Sequence, residues 1–570
     1  MLKKLFQIFS QNKLATFVIL TGSAIWSLTM VKSGFPYPYG LGFWGPNGHD
    51  GVWHIALGES LVRGSSEMPT FAGEGFQNYH IGFSLILSFL NKLTGIPISI
   101  LYFQIIPPLL GLLIGLMSYR VVLSWTKSKQ AATWSTFFIY FGGSFGWLVS
   151  LLRGGEIGGE SMFWSQQALS TLINPPFAFS LVILLLGINI LIKERKSRLD
   201  YVLSAFCFGV LIQIKVYAGI LSLGALFASG LWKLFREKKT DLLLMFAGSL
   251  AISLLLFIPF NRNPQSLLVF QPFWFLETMM GFTDRLNWAR FYSAMTNYRM
   301  GGVWLKGIPA YLAAFLIFWY GNIGTRLVKE LLIFKWIKNL KKVTWIEIFM
   351  SAIVVVGGLI PMFFLQKGTP WNTIQFFYYS LFFSGILAGI AMTELENIFS
   401  ASATKFIKML IILLAIPTTI GTLRHYLPMR PPAMLPSGEQ EALKFLSKAS
   451  NGVVLAYPFD KEKAKAAEEN PPRPLYLYES TAYVSAFGKK PTFLEDEVNL
   501  EITGYGWRER KEKVQEFFST SDPGVARNFL EENKIAYIYL TEDQKIVVDT
   551  EKLGVSKIFE NSRATVLKVE

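Results

Sequence analysis

Three of the four histidines in this 570-residue chain lie within 32 residues of one another, with an aspartate among them. The stretch GPNGHDGVWHIALGE, residues 45–59, contains His49, Asp50 and His54, and His80 follows in FQNYHIGF. These residue types suit two kinds of chemistry. Asp50 and His54 are ligand types for a divalent metal such as Mg²⁺ or Mn²⁺, and Asp50 beside an imidazole is equally suited to general-base catalysis. The residues alone leave both alternatives open.

The Asp50 segment must be helical for these side chains to converge. Val52 and Ile55 are spaced as on one face of a helix, and the pattern predicts a helix from Asp50 to Arg63. Side chains four residues apart share a helix face, which would bring Asp50 and His54 together. Asp50 would begin the helix, where the exposed amide groups favour a carboxylate.

The rest of the chain has the composition of a membrane protein. Hydrophobic residues make up 52% of it and charged residues only 16%, and the mean hydropathy is +0.37. Soluble domains carry about 25% charged residues. One apolar run, at 200–233, is too long for a single crossing and is divided in two around IQIKVYAG. Eleven spans are predicted in all: 14–31, 98–122, 131–152, 176–193, two within 200–233, 241–260, 303–323, 345–366, 371–393 and 404–424.

Clusters of Lys and Arg predict the orientation of these spans, because such clusters stay on the cytoplasmic side. The clusters are KSK (127–129), KERKSR (193–198), KLFREKK (233–239) and RLVKELLIFKWIKNLKK (326–342). With eleven spans, all four lie on the cytoplasmic side if the N-terminus, with Lys3, Lys4 and Lys13, is cytoplasmic as well. The first apolar run is interpreted as a retained span and not as a cleaved signal peptide. We therefore expect a multi-pass protein of the cell membrane, embedded in the lipid bilayer, with an extracytoplasmic C-terminus.

Three long loops then face outward, at about 32–97, 153–175 and 261–302, and they contain eight of the 16 acidic residues that precede residue 435. Loops of this length are usually functional. Residues 80–96 are too few and too polar at their end for a span, and are predicted to form a half-buried or juxtamembrane helix. Lys215 lies in apolar sequence, which marks either a functional site or a side chain that reaches the membrane surface.

Residues 435–570, which we call the tail, have a different character. They carry a net charge of −4, whereas the rest of the chain carries +19. Their patterns predict three strands, VVLAYP (453–458), PLYLYES (474–480) and IAYIYLT (535–541), and two helices, GEQEALKFLSKA (438–449) and DPGVARNFLEENK (522–534). The expected division is a helical membrane domain over 1–430 and a small extracytoplasmic α/β domain over 435–570.

Composition also excludes some classes of function. No basic domain stands alone, so no nucleic-acid partner is expected. The single cysteine, Cys207, excludes a disulfide within the chain and a zinc site built on several thiolates.

Several landmarks resemble the GT-C glycosyltransferases, which are integral membrane enzymes that use polyprenyl-phosphate-linked sugars. They are an N-terminal span, a loop in which an acidic residue opens an amphipathic helix, and the NYHIGF entry into further apolar helices. FWSQQALSTLINPPFAFSLVILL (163–185), GTPWNTIQFFYY (368–379) and the tail add to the likeness. Many members have two adjacent carboxylates where this chain has His49 and Asp50. The resemblance implies a GT-C-like fold of about 11–13 transmembrane helices with a soluble α/β tail.

The resemblance also implies roles for particular residues. Asp50 would be the catalytic base, with His49 and His54 beside it. A lipid phosphate is a competent leaving group, so the site needs cations for that phosphate more than a strong acid. The candidate phosphate-binding residues are Arg285, Arg290, Lys215 and Lys367, and the candidate substrate-binding residues are Tyr79, His80, Glu160, Gln166 and Gln167.

The expected function is that of an inverting glycosyltransferase on the outer face of the membrane. It would move a sugar from a polyprenyl-phosphate donor to a hydroxyl of a glycan, lipid or protein acceptor. The alternatives are a transporter or flippase, and a non-catalytic scaffold. Transporters usually contain repeats with interrupted helices in both halves, whereas this sequence has one interrupted run, at 200–233, and no visible repeat. A scaffold would leave the acidic loops unexplained.

Overall fold

The computed structural model of the protein describes residues 12–261 and 268–570. Lys3 and Lys4 lie outside the described residues, as does part of the predicted third outer loop. The described residues form two compact units. We call residues 12–29, 108–259 and 268–426 the helical unit, and residues 30–107, 260–261 and 427–570 the loop–tail unit.

Long apolar helices dominate the first 426 residues, because a helix satisfies its own backbone hydrogen bonds where no water is available. They are Lys13–Val31, Ile98–Thr126, Lys129–Phe141, Gly146–Leu152, Pro175–Leu191, Arg198–Ile214, Val216–Glu237, Asp241–Phe257, Trp304–Ile323, Trp345–Phe363, Gln375–Ile398 and Ala401–Tyr426. Three shorter helices, Trp274–Gly281, Ala289–Met300 and Lys329–Lys338, and a two-stranded sheet, Leu268–Phe270 with Phe364–Gln366, complete the helical unit.

The predicted spans coincide with these helices. Within the described ranges, eight helices are long and apolar enough to cross a membrane, or up to nine if the bent pair Lys129–Phe141 and Gly146–Leu152 is one span. The other two predicted spans are the 17-residue helices Pro175–Leu191 and Arg198–Ile214. The helix Asp241–Phe260 is only 22% buried along its apolar window, a surface that is stable against lipid and not against water. The chain is a multi-pass membrane protein.

The long run at 200–233 divides at Lys215, as predicted. One helix ends at Ile214 and the next begins at Val216, with extended backbone at Lys215 between them. The two helices approach closely because Gly219 has no side chain: a β-carbon there would lie 2.9 Å from the Cα of Ile212. Small residues commonly allow such contacts between helices in lipid.

The predicted first outer loop folds together with the tail. Its strand Gly40–Phe43 pairs with Pro36–Tyr37 on one side and with Ala433–Pro436, where the tail begins, on the other, both antiparallel. Arg473–Pro474 adds a fourth, parallel strand. The compact unit that contains residues 32–97 also contains residues 427–570. Strand pairing between segments so far apart has no local sequence pattern.

Two helices of this loop match their predictions. Asp50–Val62 was expected to end at Arg63, which is the residue that caps it. Gly82–Thr94 has 13 residues, too few to span a membrane. It exposes Leu85, Phe89 and Leu93 along one face, as a juxtamembrane helix would.

The tail contains a second sheet with strand order Val453–Ala456, Ile535–Thr541, Ala564–Val569, Val555–Glu560. The first pair is parallel and the others are antiparallel. Its helices are Ser437–Lys448, Lys461–Ala466, Tyr483–Gly488, Glu497–Thr503, Trp507–Ser519, Pro523–Glu532 and Thr550–Leu553. The predicted α/β character of the tail is therefore correct.

One predicted strand of the tail is wrong. Of PLYLYES (474–480), only Pro474 pairs with another strand, and Leu475–Leu477 form a 3-10 turn. Pro474 has no N–H to extend a ladder. The N–H of Tyr478 donates instead to the carbonyl of Leu475, which closes the turn.

Candidate functional site

A buried helix presents Asp50 to solvent. The helix Asp50–Val62 follows the 3-10 turn Gly45–Gly48, with His49 between them. Trp53 in its body is 1% exposed, whereas the side chain of Asp50 is 53% exposed. The helix packs tightly at its first turn, because a β-carbon on Gly51 would lie 2.7 Å from the ring of Phe103. The carboxylate of Asp50 is therefore accessible to solvent, while the helical turn that carries it is tightly packed.

The ring of His49 lies between two carboxylates. Its Nδ1 is 2.9 Å from Oδ1 of Asp50, and its Nε2 is 3.3 Å from Oδ1 of Asp496. Burial alone would lower the pKa of His49, but the charges and hydrogen bonds of Asp496 and Asp50 together raise it well above 6.5. This favours the imidazolium form, in which each ring nitrogen donates to a carboxylate.

Asp496 of the tail was not foreseen as a site residue. It is fully buried and caps the helix Glu497–Thr503, accepting from the backbone N–H of Asn499 at 3.0 Å and from Nδ2 of Asn499 at 2.9 Å. An acidic residue before a helical pattern is a recognisable capping signal. Nothing in the sequence, however, connects Asp496 to His49, which lies 447 residues away.

The ring of His54 lies among aromatic side chains. Its ring stacks on Tyr102 at a centroid distance of 5.5 Å, with Phe83 at 6.0 Å and Tyr79 at 6.3 Å. In the part of the chain that the structure describes, no group of three His, Cys, Asp or Glu side chains is placed to hold a metal ion. His54 thus packs among aromatic rings and His49 faces two carboxylates, and metal ligation by Asp50 and His54 stays a prediction.

Tyr79 and His80 lie in the same unit and are half-buried. Tyr79 meets Trp53 edge-on at 5.6 Å, and its ring is 4.6 Å from that of His80. The structure therefore brings together His54 and Tyr79, two of the residues that the sequence analysis selected in the first loop, within one aromatic cluster.

Glu160 and Gln167 form a second, buried acidic centre in the helical unit. Oε1 of Glu160 accepts from the backbone N–H of Gln167 and from Oγ of Ser170, both at 2.6 Å. Glu160 lies in the connection that precedes Pro175–Leu191, outside the spans, and burial raises its pKa to about 7. Near neutral pH this carboxyl is therefore partly protonated, in contrast to an exposed glutamate.

Arg326, the first residue of the predicted cytoplasmic cluster at 326–342, joins this centre. It is 2% exposed, and its guanidinium donates to Oε1 of Gln167 at 2.9 Å and to the carbonyl of Gly142 at 2.6 Å. Gln166, half-buried beside it, donates to the hydroxyl of Tyr426 at 3.2 Å. Arg326, Gln166 and Gln167 line a common cavity.

The four predicted phosphate-binding cations lie in the helical unit but differ in exposure. The guanidinium of Arg285 lies over the ring of Trp164 at 4.1 Å and is 3.1 Å from Asp284. Arg290, in the first turn of Ala289–Met300, and Lys367, after Phe364–Gln366, are exposed. Lys215 is only 5% exposed, with its Nζ 5.5 Å from the ring centroid of Tyr217.

No protein-family model and no curated protein matches the chain. Solved structures do match it. The apo oligosaccharyltransferase of Archaeoglobus fulgidus is similar over 94% of this chain and 70% of its own, with a TM-score of 0.50 and 12% identity. The arabinofuranosyltransferase AftD from Mycobacteria is similar over 97% of this chain and 40% of its own, with a TM-score of 0.51 and 12% identity.

The chain has the GT-C fold. ArnT from Cupriavidus metallidurans, bound to undecaprenyl phosphate, also matches, over 98% of both chains with a TM-score of 0.46 and 11% identity. At these identities the likeness is one of fold. It confirms the predicted architecture of apolar membrane helices followed by a C-terminal soluble domain.

Proposed function

We propose that the chain is an inverting glycosyltransferase that moves a sugar from a polyprenyl-phosphate donor to an acceptor hydroxyl on the outer face of the cytoplasmic membrane. The observation that carries the proposal is the accessible carboxylate of Asp50 on a rigid helix, held by a protonated His49, in a chain with the GT-C fold. The two structures with the highest TM-scores above are named as enzymes that transfer sugars. The donor class rests on the GT-C resemblance.

The reaction is a single displacement at C1 of the sugar. Asp50 takes the proton of the acceptor hydroxyl as the acceptor oxygen attacks C1 from the face opposite the phosphate. The bond from C1 to the phosphate oxygen breaks, and the lipid phosphate leaves with the electron pair. One displacement inverts the anomeric configuration. General-base catalysis of this kind contributes about 10²–10⁴-fold in rate.

Cations of the helical unit would bind the phosphate. Among the four candidates, Arg285 is the best suited, because its stacking on Trp164 fixes the plane of the guanidinium fork that pairs with phosphate oxygens. Arg290 and Lys367 are exposed enough to reach a lipid headgroup. Lys215 is the weakest candidate because its side chain is buried.

The remaining candidates divide by burial. Tyr79, His80 and Gln166 are half-buried, and we propose that they contact substrate. Glu160 and Gln167 are buried in the network with Arg326, and we propose that they support the site without touching the sugar. The proposal includes the orientation predicted from the basic clusters, with the N-terminus cytoplasmic and the tail outside. No step of the proposed reaction uses a metal ion.

The decisive experiment uses the full-length protein in liposomes. Wild type, Asp50→Asn and Glu67→Gln, an exposed carboxylate of the same loop, are each given a panel of polyprenyl-phosphate sugars, and release of polyprenyl phosphate is measured with and without a chelator. We expect release from one donor, lowered about 10²–10⁴-fold by Asp50→Asn and unchanged by Glu67→Gln or by the chelator.

The same liposomes test the main alternative. Turnover that survives Asp50→Asn would remove Asp50 from the chemistry. Movement of lipid or solute across the bilayer without cleavage of any donor would favour a transporter or flippase.

A further inference from the structure

The imidazole of His49 is committed to the two carboxylates. His49 precedes the helix Asp50–Val62, but its side chain makes no capping hydrogen bond to that helix. Its Nδ1 and Nε2 face Asp50 and Asp496 instead, at 2.9 and 3.3 Å. The side chain of His49 is 9% exposed and that of Asp496 is 0% exposed, whereas that of Asp50 is 53% exposed. His49 thus links the buried carboxylate of Asp496 to the accessible carboxylate of Asp50.

Asp496 is a fixed anchor for this chain of contacts. Oδ1 of Asp496 accepts from both His49 and the backbone N–H of Asn499, and Oδ2 accepts from the side chain of Asn499. A fully buried carboxylate without a cation is strongly destabilising. The imidazolium of His49 supplies that cation, so the charge of His49 stabilises the carboxylate of Asp496 and the carboxylate stabilises the imidazolium.

The same arrangement limits the freedom of Asp50. The charge-assisted bond from Nδ1 of His49 favours one rotamer of Asp50, because such bonds are shorter and stronger than neutral ones. In serine hydrolases a buried aspartate likewise fixes an imidazole that in turn contacts the reacting group. Here the reacting group is a carboxylate, and the imidazole holds it without carrying its proton.

We propose that His49 and Asp496 are positioning residues for Asp50, so that the tail supplies part of the site of glycosyl transfer. This inference rests on the role of Asp50 as the base in the proposed function. It assigns to Asp496 a task beyond capping a helix, and it makes the tail a component of the reaction.

The first test compares kcat and KM of Asp496→Asn with those of Asp522→Asn in the full-length protein. Asn caps helices as well as Asp does, so the helix Glu497–Thr503 should survive, while the charged partner of His49 is lost. Misplacing a catalytic group costs on the order of 10²-fold. We expect kcat to fall by about 10- to 100-fold, with KM for donor and acceptor unchanged. Asp522 caps Pro523–Glu532 in the same way but is 2.7 Å from Gly524 N and makes no contact with His49 among the described residues, so Asp522→Asn should leave kcat unchanged.

A second pair of variants tests the interaction itself. His49→Phe keeps the ring volume but removes both hydrogen bonds, and kcat should fall at least as far as in Asp496→Asn. If Asp496 acts through His49, adding Asp496→Asn to His49→Phe should lower kcat no further. Independent, multiplied losses in the double variant would overturn the inference.

The outcomes separate this inference from the proposed function. Wild-type kcat in Asp496→Asn together with a large loss in Asp50→Asn would overturn the positioning role and leave the proposed function intact. Equal losses in kcat and in the amount of folded protein would show a structural role only and would also overturn the inference. Wild-type turnover in Asp50→Asn would overturn both.

Discussion

Asp50 and Glu160 use the same functional group in opposite ways. In the loop–tail unit, Asp50 is accessible and bonded to a protonated imidazole. In the helical unit, Glu160 is buried and accepts only from an amide and a hydroxyl among its described contacts. Burial raises the pKa of Glu160 to about 7, whereas the carboxylate of Asp50 faces the imidazole of His49 at 2.9 Å.

Under the proposed function, this contrast separates a reacting carboxylate from a structural one. A base must be reached by the acceptor hydroxyl, and Asp50 meets that condition. Glu160 accepts hydrogen bonds from the backbone N–H of Gln167 and from the hydroxyl of Ser170. The side chain of Gln167 in turn accepts a hydrogen bond from Arg326. A perturbed pKa alone would have selected Glu160; exposure and partners select Asp50.

The largest expected effect is on turnover and should divide the two carboxylates. Asp50→Asn should lower kcat by about 10²–10⁴-fold without changing the thermal unfolding midpoint, because its side chain is exposed. Glu160→Gln should change kcat by less than about threefold, since kcat responds to transition-state contacts that Glu160 does not make. Steady-state kinetics on both variants measure this. The opposite ranking would move the base to the helical unit.

Next in size is the stability of the Glu160 centre. Arg326→Met should lower the free energy of unfolding by about 2–4 kcal/mol, because each buried acceptor left without a partner, here on Gln167 and Gly142, costs about 1–3 kcal/mol. Arg195→Met, at an exposed arginine, is the control and should change stability by less than about 0.5 kcal/mol. Thermal or denaturant unfolding in detergent measures both. Equal stability of the two variants would contradict a structural role for Arg326.

The pH dependence of stability should come next. The pKa of Glu160 is raised from 4.5 to about 7 in the folded protein, so the native state binds more protons than the unfolded state between these values. The contribution of Glu160 to the free energy of unfolding therefore falls as pH rises from about 4.5 to 7, by a total of about 3 kcal/mol.

Glu160→Gln keeps an oxygen that can accept both hydrogen bonds but cannot titrate. Its unfolding midpoint should therefore fall less steeply than that of wild type between pH 4.5 and 7. Unfolding scans across this range measure the difference. Parallel curves would show that the pKa of Glu160 is the same in the folded and the unfolded protein.

The smallest effect concerns the union of the first loop with the tail. Arg510 donates to the carbonyls of Ala72 and Phe493, each at 2.9 Å, and lies 3.5 Å from the ring centroid of Phe71. Arg510→Ala should lower the free energy of unfolding by about 1–2 kcal/mol.

Its matched control lies on the same helix. Arg508 pairs with Glu501 at the surface, and Arg508→Ala should cost less than about 0.5 kcal/mol. Denaturant titration of both variants makes the comparison. An Arg510→Ala protein as stable as the control would mean that these contacts do not join loop and tail.

Local patterns determined much of this protein from its sequence. Runs of apolar residues placed the helices of the helical unit, the break at Lys215 and the multi-pass architecture, because hydropathy and helix length act over some twenty neighbouring residues. The same reasoning placed the helix that begins at Asp50. The failure at residues 474–480 was also local, since Pro474 cannot extend a ladder.

Tertiary structure alone decided which charges are buried and which partners they have. The sequence supplied His49 and Asp50 but not Asp496, and it gave no sign that Arg326 is buried. Segments hundreds of residues apart meet only when the chain has folded, and an electrostatic environment depends on the distances and burial that result. Residue types thus set which chemistry was available, and their three-dimensional neighbours selected the carboxylate that can perform it.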